Sequence, residues 1–440
     1  MLKKALISLA FLVCTIALGY FTDRSNFIIL IGWVVLFFLA YAAALSSTAH
    51  RNDIRFYVFL GILSRAVLLF NFPNLSDDIY RFYWDGLLST NGYNPFSHLP
   101  DFYIKNNILP EYLTPALYEK LNSKEYYTIY PPVLQGVFAI AAWLFPKDII
   151  GAATTMKFFL LMGEIGSITF MKKILQKLEL SEENVLWYAL NPLLIIEIVG
   201  NIHFEGFMIF FLLLSLWLMM NNRLGYAAFA MAAAIASKLL PLMFLPFLIG
   251  KLGWRRSLIY FGVVGGILFI LFVPLLNASF FSNFSASLSL YFRRFEFNAG
   301  FFYAIEWFYR VVFNDHYIIR SVGPTLALIT LNCIVILTII RHDSAWKKMP
   351  ESWLFAISIY LVNTTTVHPW YICLAVALAV FTKWRYPIIW SGVVMLSYSH
   401  YWGGGFQENY LLIAIEYVIV ILFFTWEFWQ GLSRQMASRC

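Results

Sequence analysis

Long uninterrupted runs of apolar residues restrict the fold of this chain more than any other feature of its sequence. The runs 258–276 and 322–340 each approach the roughly 20 residues needed to cross a hydrocarbon layer of about 30 Å. Of the 440 residues, 61% are hydrophobic and 12% charged, more apolar surface than a soluble core of this size could bury. Backbone polar groups in lipid must bond internally, as they do in helices. The sequence therefore predicts an all-α, polytopic membrane helical bundle of about 12 to 14 membrane segments.

Basic residues in the loops indicate how this bundle is oriented. If the N-terminus is cytoplasmic, the first three spans leave Arg51 and Arg55 inside and put the long polar segment 73–149 outside. The apolar stretch 131–145 opens with two prolines and is short for a span, so we expect an interfacial or re-entrant helix on the outer face. The remaining basic loops then all fall inside. We predict a single domain over 1–440 in the plasma membrane, with both termini cytoplasmic.

Four polar clusters then fall on the same, outer side of the membrane although they are far apart in the sequence. They are residues 76–81, 200–205, 293–298 and 367–371. Two short apolar segments, 226–236 and 239–248, flank Ser237 and Lys238 and predict a short hairpin or broken helix pair whose tip approaches the same side. A bundle that brings these loops together has an external polar cavity, the usual place for a site in a membrane enzyme.

The first cluster contains two adjacent carboxylates, Asp77 and Asp78, at the expected start of a helix. The helical period places Asp78, Arg81 and Asp85 on one face, and we expect the aromatic residues between them to face lipid. Adjacent carboxylates can accept a proton from an attacking hydroxyl or hold a divalent cation such as Mg²⁺ or Mn²⁺. Helix capping by one of them is the alternative, since Asp is common at that position. Asp78 and Asp77 are our candidate catalytic residues, with Arg81 and Asp85 as candidate substrate-binding residues.

His203 and Glu205 lie where one apolar segment turns back into the next, at membrane depth or just above it. Ionisable groups there are costly unless they are used or paired, which favours a substrate-binding role over a merely solvated turn. Lys238 lies between the two short apolar segments, where a fixed positive charge could hold a phosphate. A snorkelling or ion-paired lysine is the competing interpretation.

Three further residues could contact an anionic substrate. Arg293 and Arg294 resemble an anion clamp, because guanidinium groups match the oxygens of a phosphate, although a basic pair at a lipid headgroup boundary is the competing explanation. His368 precedes Pro369 at the end of a span and could donate to a phosphate or sugar oxygen, or have no role. The sequence contains neither a glycine-rich phosphate loop nor a dinucleotide fingerprint, and its basic residues fit membrane topology better than nucleic-acid binding.

Several short motifs resemble, in their order, the bacterial polyprenol-phosphate-mannose-dependent mannosyltransferases, which have the C-type (GT-C) fold of membrane glycosyltransferases. The similarity extends over roughly residues 75 to 375. The motifs are SDDIYR at 76–81, WDG at 84–86, GYNPF at 92–96, IYPP at 129–132, NPL at 191–193, GNIHFE at 200–205, SKLLP at 237–241 and HPWY at 368–371.

This resemblance implies an inverting glycosyltransferase in which Asp78, or its neighbour Asp77, is the general base that deprotonates the acceptor hydroxyl. Glu205 corresponds to the carboxylate of the second loop, and Tyr130 in the IYPP motif joins the candidate substrate-binding residues. The implied donor is a polyprenyl-phosphate-linked sugar, above all mannose, and the acceptor is a lipid or a glycan at the outer face of the membrane. No nucleic-acid partner is implied.

Two other classes of protein remain as alternatives. A secondary transporter or flippase of lipid-linked glycans would have paired ionisable residues around a repeat axis, whereas Arg65, Lys157 and Glu164 show no pairing between halves of the sequence. In a membrane scaffold the long outer loop would bind a partner instead. The concentration of Asp, His and Arg on one side favours the transferase over both.

Overall fold

The chain is helical throughout the residues that a computed structural model describes, which are 2–48, 50–108, 110–314, 318–341 and 345–437. No β-strand occurs in these ranges, and a single isolated bridge joins Phe297 to Thr366. The first half contains α1 (Leu2–Tyr20), α2 (Phe27–Ser46), α3 (Arg51–Val67), α4 (Asp78–Thr90), α5 (Pro100–Lys105), α6 (Pro115–Glu119), α7 (Pro132–Leu144), α8 (Ile149–Lys177), α9 (Leu186–Ala189), α10 (Pro192–Leu194) and α11 (Glu205–Met220).

The second half continues in the same way, with short 3₁₀ segments between several α-helices. It contains α12 (Leu224–Ile235), α13 (Leu248–Leu252), α14 (Trp254–Phe272), α15 (Phe280–Arg293), α16 (Gly300–Phe313), α17 (Ile319–Ile340), α18 (Met349–Asn363), α19 (Ile372–Ala379), α20 (Tyr386–Val393) and α21 (Tyr410–Ala437). Buried apolar side chains from Ile7 to Val420 form one continuous core, so both halves pack into the same bundle.

Within the described residues, six helices are long and apolar enough to cross a membrane, namely α1, α2, α8, α14 with its 3₁₀ extension, α17 and α21. The segment Pro192–Gly200 and α11 are together long and apolar enough for one more span, but the chain bends by 109° at the break between them. Four shorter apolar segments accompany them: Pro132–Leu144, Leu224–Ile235, Leu240–Leu252 and Pro369–Ala379. The predicted fold class, a polytopic helical membrane protein, is confirmed.

The short helix α7 packs along α4 and covers its aromatic side. A Cβ atom on Gly86 would lie 2.3 Å from the carbonyl oxygen of Phe138, so only glycine allows this close approach. Phe82 stacks on Phe138 with ring centroids 4.6 Å apart, and Trp84 is fully buried. The expectation that the aromatic residues of α4 face lipid is therefore wrong, because α7 and the loops around it enclose them.

The bend before α11 places a polar turn inside the bundle. Residues Ile195–Gly200 form a π-helix, and the four residues that follow turn the chain into α11. Ile202 within this turn has φ 61° and is completely buried. A β-branched residue in the left-handed region is strained by about 1–3 kcal/mol, so the surrounding packing must hold this turn in place.

The connection between α12 and the following 3₁₀ segment Leu240–Phe247 carries Ser237 and Lys238, as the short apolar segments predict. The backbone N–H of Val133 at the start of α7 donates to the carbonyl of Ala236 at 3.1 Å. This bond joins the connection to α7 and holds Lys238 beside the segments that precede α7 and α11.

Candidate active site

One cavity of about 470 Å³ collects residues from all the predicted polar clusters. Its walls come from the start of α4, the loop before α7, the turn before α11, the connection after α12, and the segments around α15, α18 and the 3₁₀ helix Val394–Gly404. Eight of the predicted site residues line it: Asp77, Asp78, Arg81, Tyr130, His203, Glu205, Lys238 and His368. The structure therefore brings together residues that are up to about 290 positions apart in the sequence.

Asp77 and Asp78 differ in their partners although they are neighbours. Asp77 occupies the N-cap position of α4, but its side chain makes no capping bond and forms an ion pair with Arg24 instead. The Arg24 guanidinium also lies over the ring of Tyr401, 4.6 Å from its centroid. Asp78 accepts a hydrogen bond from the Asn122 side chain at 3.1 Å. The partner of Asp78 is therefore a neutral amide, whereas Asp77 is paired with a cation.

Arg81 lines the cavity and Asp85 does not, and both form hydrogen bonds with protein groups. The Arg81 guanidinium donates to Asp85 at 2.9 Å and to the carbonyls of Ser123 and Tyr126 at 3.0 and 2.9 Å. Asp85 is fully buried, accepts a hydrogen bond from Gln135 at 3.1 Å and does not line the cavity. The pair therefore fixes the loop that carries Asn122. Asp85 lies behind the cavity wall.

Glu205 and Lys238 form an ion pair in the cavity wall, with the Lys238 Nζ 2.8 Å from Glu205 Oε1. Glu205 is almost completely buried, whereas a quarter of the Lys238 side chain is exposed. Glu205 begins α11, where the positive end of the helix dipole favours a carboxylate. The pair thus offers one positive charge at the cavity wall, held from behind by a buried negative one.

Four rings form a column along another wall. His203 stacks on Trp370 at 3.6 Å, His368 covers the other face of Trp370 at 4.4 Å, and Phe297 stacks on His368 at 4.5 Å. Both faces of Trp370 are therefore occupied, and only the edge of its ring can contact a ligand. Burial, with smaller contributions from His203, Lys238 and His400, lowers the pKa of His368 to about 3, so this imidazole is neutral at physiological pH.

Arg293 and Arg294 are not brought into the cavity. Both side chains are exposed where α15 ends, and neither lines the wall. Their role as an anion clamp has no support in this geometry. The neighbouring Glu296 and Phe297 line the cavity in their place.

Several cavity residues were not predicted from the sequence. Arg24 and Asn122 contact the two aspartates, His400 and Tyr401 line the wall beyond α20, and Glu197 lies behind His203. The first four lie in ordinary loops or apolar segments, so no local pattern distinguishes them. Only Glu197 carried a usable signal, a carboxylate within an otherwise apolar run.

The predicted metal role of Asp77 and Asp78 remains a prediction. Across residues 2–48, 50–108, 110–314, 318–341 and 345–437, no three His, Cys, Asp or Glu side chains are grouped as metal ligands would be. Arg24 already neutralises the charge of Asp77, as a bound cation would do at this position.

Taken together, the helical spans and the enclosed polar cavity define a multi-pass membrane protein with an internal site of enzymatic character. The chain matches the family model described as alpha-(1→6)-mannopyranosyltransferase, N-terminal domain, over residues 8–253, more than half of its length, and it belongs to that family. The resemblance to mannosyltransferases is thereby confirmed, and the family description supports hexosyltransferase activity. No curated protein matches the chain.

Proposed function

We propose that this protein transfers a mannosyl group from a polyprenyl-phosphate carrier to a hydroxyl of a lipid- or glycan-linked acceptor on the outer face of the plasma membrane, with inversion at the anomeric carbon. The observation that carries the proposal is the single cavity of about 470 Å³ that holds both Asp78 and Lys238. A base for the acceptor and a cation for the leaving phosphate are the two groups that such a transfer requires.

In the proposed reaction the acceptor hydroxyl attacks the anomeric carbon from the face opposite the phosphate. The bond between that carbon and the phosphate oxygen breaks, Asp78 takes the hydroxyl proton, and the lipid phosphate leaves with the bonding electron pair. Lys238 stabilises the charge that develops on the phosphate. Because inversion reverses the anomeric configuration, the α linkage in the family description requires a β-linked donor.

Apolar residues on the cavity wall support a lipid-linked donor. Leu239, Leu240, Phe284, Leu288 and Tyr360 line the cavity beside Lys238 and along α15 and α18. A polyprenyl chain can lie against such side chains while its phosphate reaches Lys238. A free nucleotide sugar has no lipid chain to pack against this apolar surface.

The test is transfer of radiolabelled mannose from polyprenyl-phosphate mannose to a synthetic α-(1→6)-mannoside by the purified protein in nanodiscs. We expect Asp78→Asn to slow transfer by about 10²- to 10⁴-fold, the contribution of a general base, with the thermal unfolding temperature unchanged. Asp77→Asn should slow it less, because Asp77 is paired with Arg24.

Asp101→Asn is the matched control, since Asp101 lies in the same long loop, pairs with Lys105 and does not line the cavity. Full activity in both Asp78→Asn and Asp77→Asn would remove the catalytic assignment. Cysteine labelling at Ser123 and Ser181 tests the orientation, and both positions reacting on the same side would overturn the proposed topology.

A further inference from the structure

A buried carboxylate stands behind His203. Glu197 in the π-helix is completely buried, and its Oε1 accepts a hydrogen bond from the Tyr398 hydroxyl at 2.7 Å. Its Oε2 lies 3.1 Å from His203 Nδ1, and its backbone carbonyl lies 2.9 Å from the same nitrogen. The rigid π-helix and the strained turn at Ile202 hold these groups together.

This arrangement fixes which nitrogen of His203 carries the proton. Nδ1 faces two oxygen acceptors, the carboxylate and the carbonyl of Glu197, so it must donate. In the neutral ring the opposite nitrogen, Nε2, then offers a lone pair. Nε2 is buried and has no hydrogen-bond partner among the residues that the structure describes, and His203 forms part of the cavity wall. A buried acceptor atom without a partner is unfavourable, so a ligand group that donates to it gains affinity.

The stack with Trp370 further restricts what His203 can do. Trp370 covers one face of its ring at 3.6 Å, so the ring cannot stack on a sugar from that side. The charged or titratable groups near this wall include Glu197, Glu205, Lys238, His368 and His400. Lys238 is the cation among them, and it is the better partner for an anionic phosphate.

We propose that His203 is neutral, that its Nε2 accepts a hydrogen bond from a hydroxyl of the transferred sugar, and that Glu197 is the positioning residue that fixes this tautomer. The inference rests on the proposed function and deepens it by naming a contact that selects the sugar. An ionised phosphate has no proton to give to a lone pair, whereas every sugar hydroxyl has one. A site built to bond a hydroxyl discriminates strongly against a ligand that lacks it.

The experiment measures equilibrium binding of radiolabelled polyprenyl-phosphate mannose and its 2-, 3-, 4- and 6-monodeoxy analogues to the full chain in nanodiscs, without acceptor. We expect the wild type to bind one of the analogues about 10- to 100-fold more weakly than the parent donor. His203→Phe keeps the stack on Trp370 and should bind the parent donor and that analogue equally. The penalties at the other three positions should be unchanged in this variant.

Glu197→Gln is the second variant and tests positioning. Its side-chain amide can turn its NH₂ group toward Nδ1, which replaces one of the two acceptors of the Nδ1 proton with a donor and favours the tautomer with the proton on Nε2. We expect the ¹⁵N resonance of His203 Nε2 to change from a lone-pair nitrogen to an N–H nitrogen, together with a loss of hydroxyl selectivity. His98→Phe is the matched control, because His98 is exposed, stacks on Phe102 at 3.8 Å and does not line the cavity.

The outcomes separate this inference from the proposed function. Selective binding that His203→Phe abolishes, without transfer in any assay, would overturn the proposed transfer and leave the contact supported. Identical deoxy penalties in the wild type and in His203→Phe would overturn the contact even if transfer is robust. Failure of the wild type to bind any of the five donors would overturn it as well.

Discussion

Two groups of buried charged residues lie in this bundle, and they differ in how completely their polar atoms are paired. The scaffold charges are Arg65, Lys157 and Glu164, all completely buried. Arg65 donates to Glu164 at 2.9 Å and to the carbonyl of Ala189 at 2.6 Å, and Tyr188 donates to the other oxygen of Glu164 at 2.6 Å. Lys157 donates to the carbonyls of Leu68 and Asn71 at 3.1 and 2.6 Å.

The cavity charges are His203, Glu205 and Lys238, and the first two are paired less completely than the scaffold charges. Glu205 shares an ion pair with Lys238, but its Oε2 has no hydrogen-bond partner among the described residues, nor does Nε2 of His203. Burying a polar atom without a partner is costly, and more so in lipid than in a soluble protein. The comparison teaches that intramembrane charge alone does not mark a functional site here. What distinguishes the cavity residues from the scaffold charges is that some of their polar atoms lack a hydrogen-bond partner among the described residues.

Removing one partner of the scaffold ion pair is expected to have the largest effect, a loss of stability. Arg65→Leu leaves Glu164 buried without its cation, which should destabilise the protein by about 3–5 kcal/mol. The double variant Arg65→Leu with Glu164→Leu removes both charges and should recover most of that loss. Thermal unfolding of the purified proteins in nanodiscs measures the difference.

Arg293→Leu is the control for stability, because Arg293 is exposed and substitutions at such positions typically change stability by less than about 0.5 kcal/mol. If Arg65→Leu unfolds at the wild-type temperature, the scaffold charges do not hold the bundle together. If the double variant is no more stable than the single one, the loss comes from packing and not from the unpaired carboxylate.

Substitutions of the cavity charges are expected to have an intermediate effect on donor affinity. They test whether Lys238 binds phosphate or only neutralises Glu205. Lys238→Met should weaken binding of the lipid-phosphate donor by about 10- to 100-fold, the loss of one charged hydrogen bond. Adding Glu205→Gln removes the unpaired carboxylate and should restore stability without restoring affinity. Donor binding and thermal unfolding are measured on the same samples. Recovery of affinity in the double variant would show that Lys238 is only a counter-ion.

The smallest effect is a pH dependence from Glu296 on the cavity wall. Removal from bulk water, together with the carboxylates of Glu306 and Glu408, raises the pKa of Glu296 from 4.5 to about 7. Glu296 is therefore neutral below about pH 7 and adds a negative charge above it, which repels a phosphate donor. We expect the KM for the donor to rise a few-fold between about pH 6 and 8 in the wild type, since the charge is exposed and partly screened.

Glu296→Gln keeps the shape of the side chain but cannot ionise, so its KM should stay level over the same pH range. The measurement is the initial rate of transfer at several donor concentrations and pH values. A step of equal size in the variant would mean that another group titrates.

The positions of the site residues along the chain could largely be predicted from the sequence, whereas their partners could not. Asp77, Asp78, His203, Glu205 and Lys238 each interrupt or end an apolar run, and this local pattern predicts that they lie at turns. The pairing of Asp77 with Arg24 joins the start of α4 to the loop between α1 and α2, and no sequence period relates the two positions. The same limit applies to Arg293, whose charge suggested a clamp although the direction in which α15 ends leaves it outside the cavity.

The sequence by itself determined the helical membrane class of this protein and the turns where polar residues interrupt it, because lipid demands long apolar helices and excludes unpaired charge at every span. Only the tertiary structure decided which aspartate keeps a neutral partner, that Glu197 fixes the His203 ring, and that α7 encloses the aromatic side of α4. The physical reason is that hydrophobicity acts on each segment separately, whereas a hydrogen bond or ion pair depends on the distance between segments that only packing sets.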